Sequence, residues 1–147
     1  MAFPLGTMTL PSAVGVCPDL RQETFELPAQ SVSVADARNR AFERLRQWGL
    51  APEACHTARL VVSELFTNAV LHTDSDRIGC LLYVADDQIR IEVRDQGSYA
   101  STPVLCFPGA DEERGRGLQL IESLTQAWGV ESAGLGLGHI VWAVIRP

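Results

Sequence analysis

An α+β sandwich, with a mixed and mostly antiparallel sheet covered by helices on one face, follows from three observations. Apolar residues alternate with period two in segments joined by tight turns. Between those segments they recur at three- and four-residue steps. The chain has 147 residues, 46 % of them hydrophobic, which is one domain with material for one sizeable core.

The elements follow in order. Residues 1–20 carry Pro4, Pro11 and Pro18 and no apolar periodicity, and read as a loosely held leader ahead of a domain over 21–147. Glu23 to Leu27 alternates and is stopped by Pro28, as a short edge strand is. Val34, Ala37, Ala41, Leu45 and Trp48 mark a first helix with Ser33 as its cap and Gly49 as its stop. Pro52 suits the first turn of a second helix, which carries Ala54, Ala58, Val61, Leu65 and Ala69 on one face and runs to about His72. A hairpin follows, with Ile78, Cys80, Leu82 and Val84 on one strand, a turn at Asp86, Asp87 and Gln88, and Ile89, Ile91 and Val93 on the return. Leu118, Ile121, Leu124 and Trp128 mark a third helix, and a last hairpin ends in Ile140 to Ile145.

Composition excludes several classes of function. Twelve basic against eighteen acidic residues give a net charge of -6, which repels a phosphate backbone, so nucleic acid is not an expected partner. No apolar run is long enough to span a membrane, and the first cationic residue is Arg21, so a cytoplasmic location is expected. Cys17, Cys55, Cys80 and Cys106 are scattered singly. They read as free, mostly buried thiols, and Cys55 and His56 lack the second half of a zinc site.

Three polar features break the apolar pattern. Glu64, Asn68 and His72 are four apart, so each step turns only about 40° around the helix and the three form one stripe that borders the apolar face. Such a stripe is either a row satisfied by its neighbours at the core margin or a wall of a ligand site, with Asn68 offering a hard oxygen to Mg²⁺ and Glu64 a carboxylate to a hydroxyl. Asp95 continues the parity of Ile89, Ile91 and Val93, and so points toward the helix-covered side at the end of its strand. Gly97, two residues on, leaves room for something flat, although Asp-Gln-Gly is also ordinary turn chemistry. Finally, Arg114, Gly115, Arg116, Gly117 and Leu118 open an amphipathic helix with alternating arginines and glycines, either a phosphate cradle or a solvated basic helix start. Gly134 to Gly138 alternates glycine with leucine but feeds a strand, and reads as a hairpin turn.

Together and in this order the three features resemble the nucleotide-binding boxes of the GHKL superfamily. Val62 to His72 is similar to the N-box of the small anti-sigma-factor serine kinases. Gly115 to Leu118, followed by Trp128, Gly129 and Val130, is similar to their second glycine box and its downstream strand. The resemblance covers roughly residues 23–146 and implies a Bergerat-type fold that binds ATP and Mg²⁺. It implies that Asn68 holds Mg²⁺, Glu64 is the catalytic base and His72 lines the phosphate side. Asp95 would accept the adenine amine and Gly97 would let the base approach the strand. Arg114, Gly115, Arg116, Gly117 and Leu118 would bind the phosphates, and residues 98–114, with an apolar patch at Pro103, Val104, Leu105 and Phe107, would be the lid. The partners implied are a sigma factor, a STAS-type anti-anti-sigma protein and a second copy of the chain. Two positions depart from the pattern. Relatives commonly carry Lys-Thr where His139 and Ile140 stand, so Ile140 is expected to leave the adenine contact one hydrogen bond poorer. Arg114 replaces a frequent glycine.

Overall fold

The computed structural model describes residues 21–73, 75–86, 88–95, 119–132 and 138–146. The chain runs β1 (Arg21–Pro28), α1 (Val32–Gln47), α2 (Pro52–His72), β2 (Arg77–Ala85), β3 (Gln88–Asp95), a helical stretch at 119–124, β4 (Ala127–Ser132) and β5 (His139–Ile145). The strands form one sheet in the order β1-β2-β3-β5-β4, and each of the four pairings is antiparallel. The expected α+β class holds, and no parallel pair occurs among the described strands.

Period-two alternation sorts the side chains of the sheet onto two faces. Ile78, Cys80, Leu82 and Val84 of β2 stand opposite Asp95, Val93, Ile91 and Ile89 of β3, and Val141, Ala143 and Ile145 of β5 continue the same rows. These apolar side chains are buried with Ala54, Ala58, Val61, Val62, Leu65 and Phe66 of α2 and Ala37, Ala41 and Leu45 of α1. α2 packs over β3 and β5, and α1 lies against α2 and reaches β1. The small residues on the buried faces of both helices let the two layers approach closely, because an alanine adds little beyond the helix backbone.

Local boundaries differ from the sequence reading in three places. Ser33 is not the cap of α1. The helix begins at Val32 after Ser31, and Ser33 is buried in its first turn. Gln88 belongs to β3, pairing with Ala85, so the β2–β3 turn is the two-residue kind, with Asp86 at φ 54°. Trp128 lies in β4, opposite Ala143, and not on the helical stretch at 119–124. Apolar residues spaced 3 and 4 apart cannot show where a helix stops and a strand begins. By contrast, α2 spans Pro52–His72 as read from sequence, and Gly49 at φ 86° ends α1 in the left-handed conformation that glycine adopts without steric cost. Of the cysteines, Cys55 and Cys80 are described, and both are buried free thiols. Burial, with the Glu23 and Glu92 carboxylates nearby, pushes the Cys80 thiol up to about 12, so it stays protonated and inert. The leader at 1–20, with Cys17, and Cys106 lie outside the described residues.

The second face of the sheet carries no described helix and is built differently. Arg90 and Glu92 of β3 are almost fully buried there, and the Arg90 Nε donates to Glu92 Oε2 at 2.8 Å. The Arg90 guanidinium stacks on the Trp142 ring, 4.9 Å from its centroid. Trp142 lies in turn across Gly129 of β4, where a Cβ would meet the indole at 2.8 Å. Gly129→Ala is therefore expected to lower stability by about 1–3 kcal/mol, the usual cost of overpacking. Urea unfolding measures it, and adding Trp142→Leu should recover part of the loss because the clashing ring is gone.

Candidate nucleotide site

The polar stripe of α2 lies on the flank of that helix turned away from α1. Phe42 of α1 touches the other flank, with its ring tilted against His56 at 5.1 Å between centroids and under Arg59 at 5.0 Å. Glu64, Asn68 and His72 follow Arg59 by about 140°, 180° and 220° around the helix axis. All three are half-buried, as expected of a stripe that borders the apolar face.

The connection after α2 determines where this stripe sits relative to the sheet. Only residues 73–76 separate α2 from β2, and the link is tied down locally. The Ser75 N–H donates to Thr73 Oγ1 at 3.0 Å, the Ser75 hydroxyl donates to the Arg77 carbonyl at 2.9 Å, and the Ala29 N–H donates to the Asp76 carbonyl at 2.9 Å. The last turn of α2 is thereby held at the end of the sheet where Ile78 pairs with Asp95. Asn68 and Glu64 stand one and two turns further back over the sheet, at about 5.4 Å per turn.

Asp95 points to the helix-covered side, as its parity requires, and is 7 % exposed. A carboxylate in that position needs donors, and one is the backbone N–H of His139, 3.3 Å from Oδ1. Gly138, at φ 97°, delivers that N–H at the start of β5, in a conformation that strains residues with a Cβ. The strand register also corrects the expectation for the last strand. Ile140 pairs with Arg94, so its side chain lies on the face opposite Asp95, where it is 1 % exposed. His139 is the β5 residue on the Asp95 side. Reading β5 alone could not reveal this, because facing is set by pairing with β3; the glycine just before the strand was the available signal.

The Glu64 carboxyl is held above its ordinary range, and the cause is burial against the helix-covered side. Burial of this kind disfavours the charged form, so ionised Glu64 costs the native state free energy. The cost is absent below the ordinary carboxyl range and grows as pH rises through the raised value. Glu64→Gln should therefore be more stable than the natural chain at neutral pH, with the difference closing as pH falls below the carboxyl range. Thermal unfolding across pH checks this, and a Gln variant less stable at neutral pH would contradict it.

Gly97, Arg114, Gly115, Arg116, Gly117 and Leu118, and the expected lid over 98–114, lie outside the described residues. So do Gly134 to Leu137, while Gly138 is described. What is in place is one carboxylate-and-amide helix flank over the sheet and one buried aspartate at the sheet end where that helix finishes. An amide oxygen with a carboxylate one turn away is a fitting donor set for a hard divalent cation, and a fixed buried carboxylate fits an exocyclic amine.

Comparison with known proteins identifies the family and the fold. The model of the histidine kinase-like ATPase domain matches residues 27–145, from the end of β1 through β5. Among solved structures, the histidine kinase domain of the blue-light activated histidine kinase from Erythrobacter litoralis EL346 superposes with a TM-score of 0.52 at 23 % identity, over 82 % of this chain. The chain spans 61 % of the length of that structure, and the likeness is one of fold. No match was found among curated proteins. With a family model that spans both layers of the sandwich and all but the first strand of its sheet, the chain belongs to the histidine kinase-like ATPase domain family, of GHKL type.

Proposed function

We propose that this protein is an ATP- and Mg²⁺-dependent serine/threonine protein kinase that also acts as an anti-sigma factor, phosphorylating an anti-anti-sigma antagonist of STAS type and sequestering a sigma factor. The observation that carries the reading is the α2 flank, where Glu64, raised by burial, and Asn68 are one turn apart on the helix whose last turn lies at the sheet end occupied by Asp95. No described helix is long and apolar enough to cross a membrane.

The residues divide the work. Asp95, held by the His139 N–H, accepts the adenine amine. Asn68 would supply the amide oxygen that holds Mg²⁺, and His72 would line the phosphate side at the end of α2. Arg114, Gly115, Arg116, Gly117 and Leu118 cradle the phosphates through backbone N–H groups and guanidinium donors, and Gly97 leaves space for the base. When bound, ATP would supply the γ-phosphoryl group and leave as ADP, and Mg²⁺ would offset the phosphate charge. Glu64 takes the proton of the acceptor serine hydroxyl, and a carboxyl whose affinity for a proton is raised does this better than an ordinary one. A nucleotide-gated binding module without turnover is the second reading, favoured by Ile140 standing where relatives carry a threonine, so that no hydroxyl from this pair of positions is available near Asp95.

Asp95→Asn should weaken ADP binding at least about tenfold, because a charged acceptor is lost at the base amine. Ile140→Thr should leave that affinity unchanged, since its side chain is on the other face. Calorimetry measures both, and saturating nucleotide that gives neither heat nor a thermal shift would remove the assignment. Glu64→Gln should keep ADP binding and slow transfer of labelled phosphate from ATP to the antagonist by roughly 10²-fold, the usual contribution of a positioned base. Wild-type transfer by that variant would reduce Glu64 to a structural role. Nucleotide binding without any phosphorylated partner would favour the module.

A further inference from the structure

The sheet face turned away from the helices is buried more deeply than the described elements around it explain. Leu81 of β2 and Ile140 and Val144 of β5 are 8 %, 1 % and 6 % exposed. All three point away from the helices, because they pair with Glu92, Arg94 and Arg90 of β3. Accordingly, none of them belongs to the apolar cluster that joins the sheet to α1, α2 and, through Ile121, the stretch at 119–124. On a pleated sheet the neighbours of a side chain stand beside it and not above it, so a face without a second layer leaves its side chains open to water from one direction. Trp142 shields Arg90 by stacking on it, yet no described element lies over Leu81, Ile140 or Val144. The three occupy two strands and three successive rows, so their cover extends across the middle of the sheet instead of sitting at one end.

The twenty residues ahead of β1 have the composition and the reach to be that cover. Phe3, Leu5, Met8, Leu10, Val14 and Val16 are among them, and Asp19 is their only charged side chain. Segments that stay in water as coil have the opposite balance, poor in apolar residues and rich in charge. Pro4, Pro11 and Pro18 oppose a regular helix, but a chain laid in extended form over a sheet needs apolar side chains and not helical periodicity. From β1 to β4 the face is four strand spacings wide, roughly 19 Å. Twenty extended residues reach roughly 66 Å, enough to cross it and return. The point of entry is fixed as well. β1 begins at Arg21 opposite Val84, and the Arg21 guanidinium donates to the Trp48 carbonyl at 2.5 Å, so the chain comes in at the sheet end where Tyr83, Arg90 and Val144 form a row. Residues 98–114 match this face less well, since Asp111, Glu112, Glu113 and Arg114 would bring charge onto an apolar layer.

We propose that residues 1–20 of this chain pack across the helix-free face of the sheet as a third layer, with their apolar side chains over Leu81, Ile140 and Val144. The contact is independent of the nucleotide site, on the opposite face of the same sheet.

Methyl-labelled full chain followed by NMR tests this. The expected result is nuclear Overhauser contacts from the methyl groups of Leu5, Leu10, Val14 and Val16 to those of Leu81, Ile140 and Val144 and to the Trp142 ring, within one chain. A sample mixed from labelled and unlabelled chains separates contacts within a chain from contacts between chains. Leu10→Asp with Val14→Asp should remove the contacts and shift the Leu81, Ile140 and Val144 methyl signals, while those of Val61 and Leu65 on the helix side stay in place and verify folding. Absence of any contact between residues 1–20 and this face would overturn the proposal. So would contacts found only between chains, which would assign the face to a second copy, or Leu81, Ile140 and Val144 signals that the double substitution leaves unchanged.

Discussion

The register of β3 is the constraint on which the rest of the structure depends. β3 is the central strand, hydrogen-bonded to β2 on one side and β5 on the other, and its alternation assigns every side chain to one of two chemically different faces. Ile89, Ile91 and Val93 go under the helices, with Asp95 as the last residue of that row. Arg90, Glu92 and Arg94 go to the other side. A slip of one residue would drive three charged side chains into the apolar layer and turn Asp95 away from α2, so the alternative is excluded by several unpaired buried charges at once.

The same alternation explains why a buried ion pair is tolerated in so small a domain. Arg90 and Glu92 are two apart on one strand, close enough for a direct bond, and Trp142 covers the guanidinium from the neighbouring strand. Desolvating both charges offsets much of their attraction, so the pair adds little net stability, whereas removing either partner would leave a buried charge alone. Its physical consequence is specificity. Arg90, Glu92, Trp142 and Gly129 fit together in one pairing of β3, β5 and β4, and Gly129 is the position that gives the indole room.

On the helix side, a core of small and branched apolar residues positions polar groups that the core itself does not need. α2 commits one flank to α1 through Phe42, His56 and Arg59, which leaves the opposite flank, with Glu64, Asn68 and His72, at the margin of the sandwich. Half-burial there holds a proton on Glu64 more tightly than water would, which is a cost to folding at neutral pH. Asp95 meets a related requirement differently, taking its donor from the backbone of β5, so that the end of β3 and the start of β5 are joined through a carboxylate.

The sequence by itself determined the class of fold, the span of α2, the polar stripe on it and the inward direction of Asp95. Each of these is a consequence of local periodicity: 3.6 residues per turn or two per pleat places a side chain on a face whatever the rest of the chain does. Tertiary structure alone decided that His139 and not Ile140 shares a face with Asp95, and that Arg90 and Glu92 are buried together under Trp142. These depend on which strands pair and in what register, and register is a property of two segments far apart in sequence whose relative shift neither one encodes.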